Sequence, residues 1–313
     1  MYLELAGLIV GFILLIKAAD YLIDGAVSLA IKFHISEIAI GLTIVAFGTS
    51  APELIVNILS AFKGHPEICY GNVIGSNIFN TLMVLGIAGL IAPLHLQKDT
   101  VLKEIPFVFL GTILVLALSN NFWSGGAELS RLDGIVLVFC LALFIFYVMG
   151  IPRQAPKEQF HDVTLLKTLL LITGGILGLF IGGEFVVRNS VAIALHFGVS
   201  EKFISLTVVA LGTSLPELVT SIIAVRKKSS DIAVGNVIGS NLFNIFLVLG
   251  LTSIIKPISY NISMNIDLLI LMLITLVLFF MVCVGKLNKL NRLGAGILVS
   301  FYILYVYYLI LRG

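Results

Sequence analysis

Two stretches of this chain recur later in it as near copies, at one fixed separation. Residues 42–53 read LTIVAFGTSAPE, and residues 206–217 read LTVVALGTSLPE. Residues 71–86, GNVIGSNIFNTLMVLG, match residues 235–250, GNVIGSNLFNIFLVLG, at twelve of sixteen positions. The offset is 164 in both cases. It extends back to Asp20 and Glu184 and to the joints at 34–36 and 198–200. Chance supplies one glycine-rich match, but two long ones at a constant offset mark a duplication. The chain must therefore fold as two related halves.

Composition says where those halves live. Hydrophobic residues make up 59% of the 313 and charged residues only 12%, with a mean hydropathy of +1.13. A soluble globular chain carries about 25% charged residues. Too little polar surface is present to cover so large an apolar content. This excludes a soluble enzyme, a disordered chain and a nucleic-acid-binding protein. The apolar runs are continuous rather than alternating, which excludes a membrane β-barrel.

A bilayer core takes about 20 apolar residues per helix. Charge clusters and Pro/Gly/Asn-rich joints divide the chain into ten such spans, near 3–32, 36–62, 67–92, 100–119, 131–151, 164–196, 200–225, 231–255, 264–284 and 292–311. The fold class expected is an all-α polytopic membrane protein of ten transmembrane helices. The first stretch has no basic run or small-residue cleavage site and reads as a true span. The first and sixth are long enough to tilt. Five spans separate each residue from its copy, and five is odd, so the second half crosses in the opposite sense. Residues 1–151 form the first five-helix repeat, with its repeated core near 36–92. Residues 152–163 form a short cytoplasmic linker, and residues 164–313 form the inverted second repeat, with its core near 200–256.

Orientation follows from Lys and Arg. One set of loops carries twelve of them, the other five, with Lys17 and Arg188 inside spans. The richer side is expected to be cytoplasmic, which places both termini outside a cell membrane and Trp123 in the outer aromatic belt. Cys69, Cys140 and Cys283 have no close pairing, so neither a disulfide framework nor a thiolate metal site is indicated.

Inside the repeats, Glu53 and Glu217 each sit within an apolar span. A charge there costs roughly 2.5–3.5 kcal/mol and calls for a cation, a proton or a partner. Ser50-Ala51-Pro52-Glu53 and Ser214-Leu215-Pro216-Glu217 also fit a capping box with proline in the first turn. The two readings combine: the motif breaks the helix, and the break exposes carbonyls near Ala46 and Ala210. Thr49, Ser50, Thr213 and Ser214 add hydroxyls one turn away. Ser76 with Asn80, and Ser240 with Asn244, are spaced to share one helix face. Gly71, Gly75, Gly235 and Gly239 are expected to bring these helices close. Carboxylates, amides, hydroxyls and carbonyls without sulfur or imidazole suit hard cations, calcium taking about 6–8 oxygens. All five histidines fall at span ends or loops.

GTSAPEL and GTSLPEL, each followed by GNVIGSNxFN, resemble the α-repeats of the sodium/calcium exchanger branch of the calcium/cation antiporter superfamily, in a compact prokaryotic-type form. The resemblance implies ten helices in inverted five-helix halves and electrogenic exchange of Na⁺ for Ca²⁺ at a midplane site. It implies ion ligation by Glu53, Glu217, Thr49, Ser50, Thr213, Ser214, Ser76 and Ser240, by the carbonyls of Ala46 and Ala210, and by Asn80 and Asn244. Some relatives, potassium-dependent exchangers among them, carry Asp where this chain has Asn244, which argues against potassium cotransport. The linker has no room for a large calcium-sensing domain.

The first and sixth spans would slide past the repeat core to switch access. Asp20 and Glu184 would line an ion path or pair locally, Arg188 lying one turn from Glu184. No cofactor is expected beyond the transported ions, and no obligate protein partner; the lipid bilayer is the remaining partner. A Ca²⁺/H⁺ antiporter using the same glutamates is the nearest alternative. A cation channel and a membrane-embedded hydrolase are the others.

Overall fold

The computed structural model describes residues 2–121, 127–151, 164–197, 210–283 and 288–312. The linker at 152–163, Trp123 and the start of the seventh expected span lie outside these residues. Helices dominate: α1 Tyr2–Phe33, α2 Glu37–Thr49, α3 Ala51–Lys63, α4 Pro66–Ile91, α5 Thr100–Asn120, α6 Arg131–Met149, α7 Leu165–His196, α8 Ala210–Thr213, α9 Leu215–Arg226, α10 Ser230–Ile255, α11 Ile262–Cys283 and α12 Arg292–Arg312. Eight of these are long and apolar enough to cross a bilayer alone, and α2 with α3 forms one further span bent by 43°. The chain is an all-helical polytopic membrane protein.

Local chemistry sets the helix ends. Ser36 caps α2 by accepting from the Ala39 N–H, and Thr164 caps α7 through Lys167 N–H. Ser130 and Asp133 cap α6 reciprocally. Proline opens α4, and α3 ends on Gly64 in the left-handed region at φ 79°.

Position in the bundle follows polarity. α4 and α10 carry Asn72, Ser76, Asn77 and Asn80, and Asn236, Ser240, Asn241 and Asn244, a set that lipid cannot satisfy. They occupy the centre, with 72% and 78% of their apolar windows buried, against 17–39% for the other long helices. Around them α6 packs on α10, α12 on α4 and α11 on α5. α1 and α7 run against each other over their length. A Cβ on Gly175 or Gly182 would lie only 2.8 or 2.9 Å from the backbone nitrogens of Leu22 and Leu15, so these glycines permit the close approach.

Short contacts tie the two halves reciprocally. β1 (Leu94–His95) pairs with β4 (Lys289–Leu290), and β2 (Glu128–Leu129) with β3 (Ile258–Ser259), both antiparallel. Gln97 donates to Asp231 at 2.8 Å, and Asn261 donates to Glu67 at 3.1 Å. Gln97 and Asn261 are 164 residues apart, as are Glu67 and Asp231.

Candidate ion-binding site

The site begins at the bend. Ser50, at φ −84° and ψ 3°, separates α2 from α3, and Ser214, at φ −92° and ψ 5°, separates α8 from α9. Pro52 and Pro216 lack an N–H, so the carbonyls of Gly48 and Gly212 lose the donor a continuous helix would supply. Glu53 and Glu217 follow in the first turn beyond each break, both fully buried.

The capping boxes expected here are not made: neither Ser50 nor Ser214 caps its own helix. Each hydroxyl is committed across the halves instead. Ser50 Oγ donates to Glu217 Oε1 at 3.4 Å. Ser214 Oγ lies within reach of Glu53 Oε1 at 3.2 Å and Ser76 Oγ at 2.9 Å. Ser76 Oγ donates to Glu53 Oε1 at 3.4 Å. The serine of each break therefore meets the glutamate of the other.

The carbonyl of Ala46 is not freed by the break. It accepts from the Ser50 N–H at 3.0 Å and also from Thr49 Oγ1 and Ser240 Oγ, at 3.3 and 3.4 Å. The break spans one residue, so the backbone bond persists. Thr49 Oγ1 also lies 3.2 Å from Ser240 Oγ. Ala210 opens α8, and its side chain lies outside the described set.

Asn80 and Asn244 lie in π-helical turns, Asn80–Val84 and Phe243–Val248, at matching positions of α4 and α10. Such turns widen a helix and concentrate at functional sites. Both side chains are fully buried. Asn244 donates to Asn77 Oδ1 at 3.1 Å. Among the described residues, the second oxygens Glu53 Oε2 and Glu217 Oε2, and the amide oxygens of Asn80 and Asn244, have no hydrogen-bond partner.

Several residues escaped the sequence reading. Asn72 donates to the Glu53 carbonyl at 3.3 Å and to Asn57 Oδ1 at 2.7 Å, and accepts from Thr213 Oγ1 at 3.3 Å. Asn236 repeats the pattern with the Glu217 carbonyl, Ser221 and Thr49, at 3.3, 3.1 and 3.0 Å. Asn77 reaches the Asn241 carbonyl at 3.2 Å, and Asn241 reaches Thr81 at 2.9 Å. Asn72, Asn77, Asn236 and Asn241 all stand in the identical part of the repeats, which was the available signal. Asn72→Ala strands the buried Asn57 Oδ1, which accepts from Asn72 at 2.7 Å, and loss of such a partner costs about 1–3 kcal/mol. A lowered melting temperature in detergent checks this.

The glycine expectation divides. A Cβ on Gly235 would meet Ile38 O at 2.8 Å, and one on Gly239 would meet Leu42 O at 2.7 Å, so both bring α10 onto α2. A Cβ on Gly71 or Gly75 meets no described atom within 4 Å. Of the segment equivalent to α2 in the second half, residues 201–213, the part 201–209 lies outside the described residues. Asp20 does not enter the site; it pairs with Lys227. Glu184 and Arg188 are both exposed. A third buried carboxyl, Glu104, lies elsewhere and accepts from Tyr147 Oη at 2.5 Å.

Among the described residues no three His, Cys, Asp or Glu side chains converge, and neither Glu53 nor Glu217 has a basic partner. Two uncompensated buried carboxyls framed by hydroxyl and amide oxygens form a hard-cation environment, not a zinc or copper one.

A family model described as sodium/calcium exchanger protein matches residues 3–150 and 167–311, nearly the whole chain. The chain belongs to the sodium/calcium exchanger family. A protein of Alkalimonas amylolytica named CaxA is 38% identical over 96% of this chain and 97% of its own length. The sodium/calcium exchanger MaX1 of Methanosarcina acetivorans is 29% identical over 96% of both. Among solved structures, the sodium-calcium exchanger NCX_Mj soaked with 2.5 mM Na⁺ and 0.1 mM Ca²⁺ resembles this chain with a TM-score of 0.82. Its sequence identity is 30%, over 97% of this chain and 98% of that one. As a member of this exchanger family the chain is a cation antiporter for calcium, not an enzyme, and it is embedded in a membrane.

Proposed function

We propose that this exchanger couples Na⁺ to Ca²⁺ across a cell membrane by alternating access at a site between two inverted five-helix halves. The observation that carries the reading is the reciprocal pair of carboxyls. Ser50 reaches Glu217, Ser214 reaches Glu53, and each glutamate keeps one buried oxygen without a partner among the described residues. Calcium needs several oxygens at one locus and a compensating charge of about two. Glu53 and Glu217 supply the charge. Thr49, Ser50, Ser76, Asn80, Thr213, Ser214, Ser240, Asn244 and the carbonyls of Ala46 and Ala210 supply oxygens for calcium or for the sodium ions that replace it.

The inverted arrangement draws support from contacts that recur at the 164-residue offset and from a family match in each half. The ten-span reading takes the expected span 200–225, of which α8 and α9 are the described part, as the tenth crossing. With the Lys- and Arg-rich loops cytoplasmic, both termini lie outside. No resident cofactor and no obligate protein partner are part of this reading.

The test is radiolabelled calcium uptake into proteoliposomes loaded with sodium, with potassium, or with acidic sodium-free buffer. Uptake that requires the outward sodium gradient is expected. Uptake driven by the proton gradient alone would keep the site and replace the counter-ion, because proton exchange needs only the carboxyls. Absence of calcium uptake with either gradient would remove calcium as the substrate.

A further inference from the structure

Asp20, Asp24 and Lys227 form a charged cluster that the ion site does not use. Lys227 Nζ lies 2.7 Å from Asp20 Oδ1 and 2.6 Å from Asp24 Oδ1, and it donates to the Asp20 carbonyl at 3.1 Å. The two aspartates sit one turn apart on α1, and Lys227 directly follows α9. One ammonium thus ties a helix of the first half to the helix that carries Glu217.

The 164-residue offset carries this cluster onto Glu184, Arg188 and Lys63. There the bridge is not made. All three residues are exposed, and none takes part in an ion pair among the described residues. The packing differs in the same way, since α1 lies along α9 whereas α7 scarcely touches α3, the helix that carries Glu53. Equivalent positions of a duplicated sequence are closed at one end and open at the other. Arg188 stands where the first half has Asp24, so Glu184 is the one carboxylate at the equivalent positions.

We propose that Lys227 with Asp20 and Asp24 is an ionic latch that holds α1 on α9 in one access state. Lys63 and Glu184 form its weaker counterpart, which closes as α7 comes onto α3 in the opposite state. This rests on the alternating-access reading above. The latch side chains are 22%, 38% and 43% exposed, so the pairing is partly screened by solvent and weak enough to open in each cycle. A bridge that served stability alone would make no demand on Lys63 and Glu184.

The experiment uses the full chain in proteoliposomes, with Cys69, Cys140 and Cys283 replaced and cysteines placed at the exposed Phe62 and Phe185, beside Lys63 and Glu184. The rate of cross-linking by a short bismaleimide reports closure at that end. Lys227→Gln should raise it about five-fold, the change expected on losing a partly exposed ion pair. Asp24→Asn, which leaves Asp20 in place, should raise it less, and Lys227→Arg should leave it at the parent rate. A rate unchanged by both Lys227→Gln and Asp24→Asn would overturn the latch, as would an equal rise with Lys227→Arg. Calcium uptake by the parent is measured in the same vesicles without cross-linker. Its failure to respond to sodium would defeat the exchange reading, while the cross-linking rates still decide the latch.

Discussion

Glu53→Gln is expected to abolish sodium-driven calcium uptake while the protein remains folded. Glutamine keeps the size of the side chain and an oxygen for Ser214 and Ser76, whose hydroxyls lie 3.2 and 3.4 Å from Glu53 Oε1. Packing at the break should therefore survive. What is lost is one of two buried negative charges with no basic partner among the described residues. Removing one member of a buried charge pair costs about 3–5 kcal/mol, so calcium affinity should fall about 100-fold or more. Two measurements check this: uptake in proteoliposomes, and the rise in melting temperature on adding calcium. The calcium-free melting temperature should hold or rise, because an uncompensated buried charge is itself destabilising. Uptake at the parent level would remove Glu53 from the ion path.

Gly239→Ala should be among the most damaging single methyl additions in the chain. The new Cβ would stand 2.7 Å from the Ala46 Cβ, 2.7 Å from the Leu42 carbonyl oxygen and 2.8 Å from the Leu42 Cα. Two of these neighbours are backbone, so no flexible side chain can yield. α10 would have to move off α2, and overpacking of this kind costs about 1–3 kcal/mol. The displacement would also reach the site, since Ser240 bonds the Ala46 carbonyl from the next residue along α10. The expected result is a lower melting temperature together with weaker calcium uptake. Gly174→Ala is the control: it sits in α7 with nothing within 4 Å of its Cβ among the described residues, and it should be close to neutral. A Gly239→Ala protein as stable as the parent would show that α2 and α10 separate freely.

Much of this protein was legible before any folding. Span boundaries depend on where apolar runs meet charge and proline, both local properties, and the described long helices begin and end within two residues of the expected positions. The duplication placed Glu53 and Glu217, Ser76 and Ser240, and Asn80 and Asn244 at matched positions because identity at a constant offset is itself a sequence property. Local motifs misled in one respect. Ser-x-x-Glu reads as a capping box, yet Ser50 and Ser214 reach across to the other half's glutamate, because a buried carboxyl needs a donor more than a helix end beside it does.

Three things were decided only by tertiary structure. Asn72 and Asn236 became supports of the site because each faces the carbonyl behind a glutamate and a threonine of the opposite half, a contact with no trace in sequence distance. The Ala46 carbonyl stayed bonded because the break is a single residue wide, which the proline alone does not specify. And the equivalence of the two halves gave way at Lys227 and Lys63, one bridged and one exposed. Duplication makes the halves alike in sequence, but how α1 and α7 pack on them is set by which state of the bundle has the lower free energy, and that is a property of all the helices together.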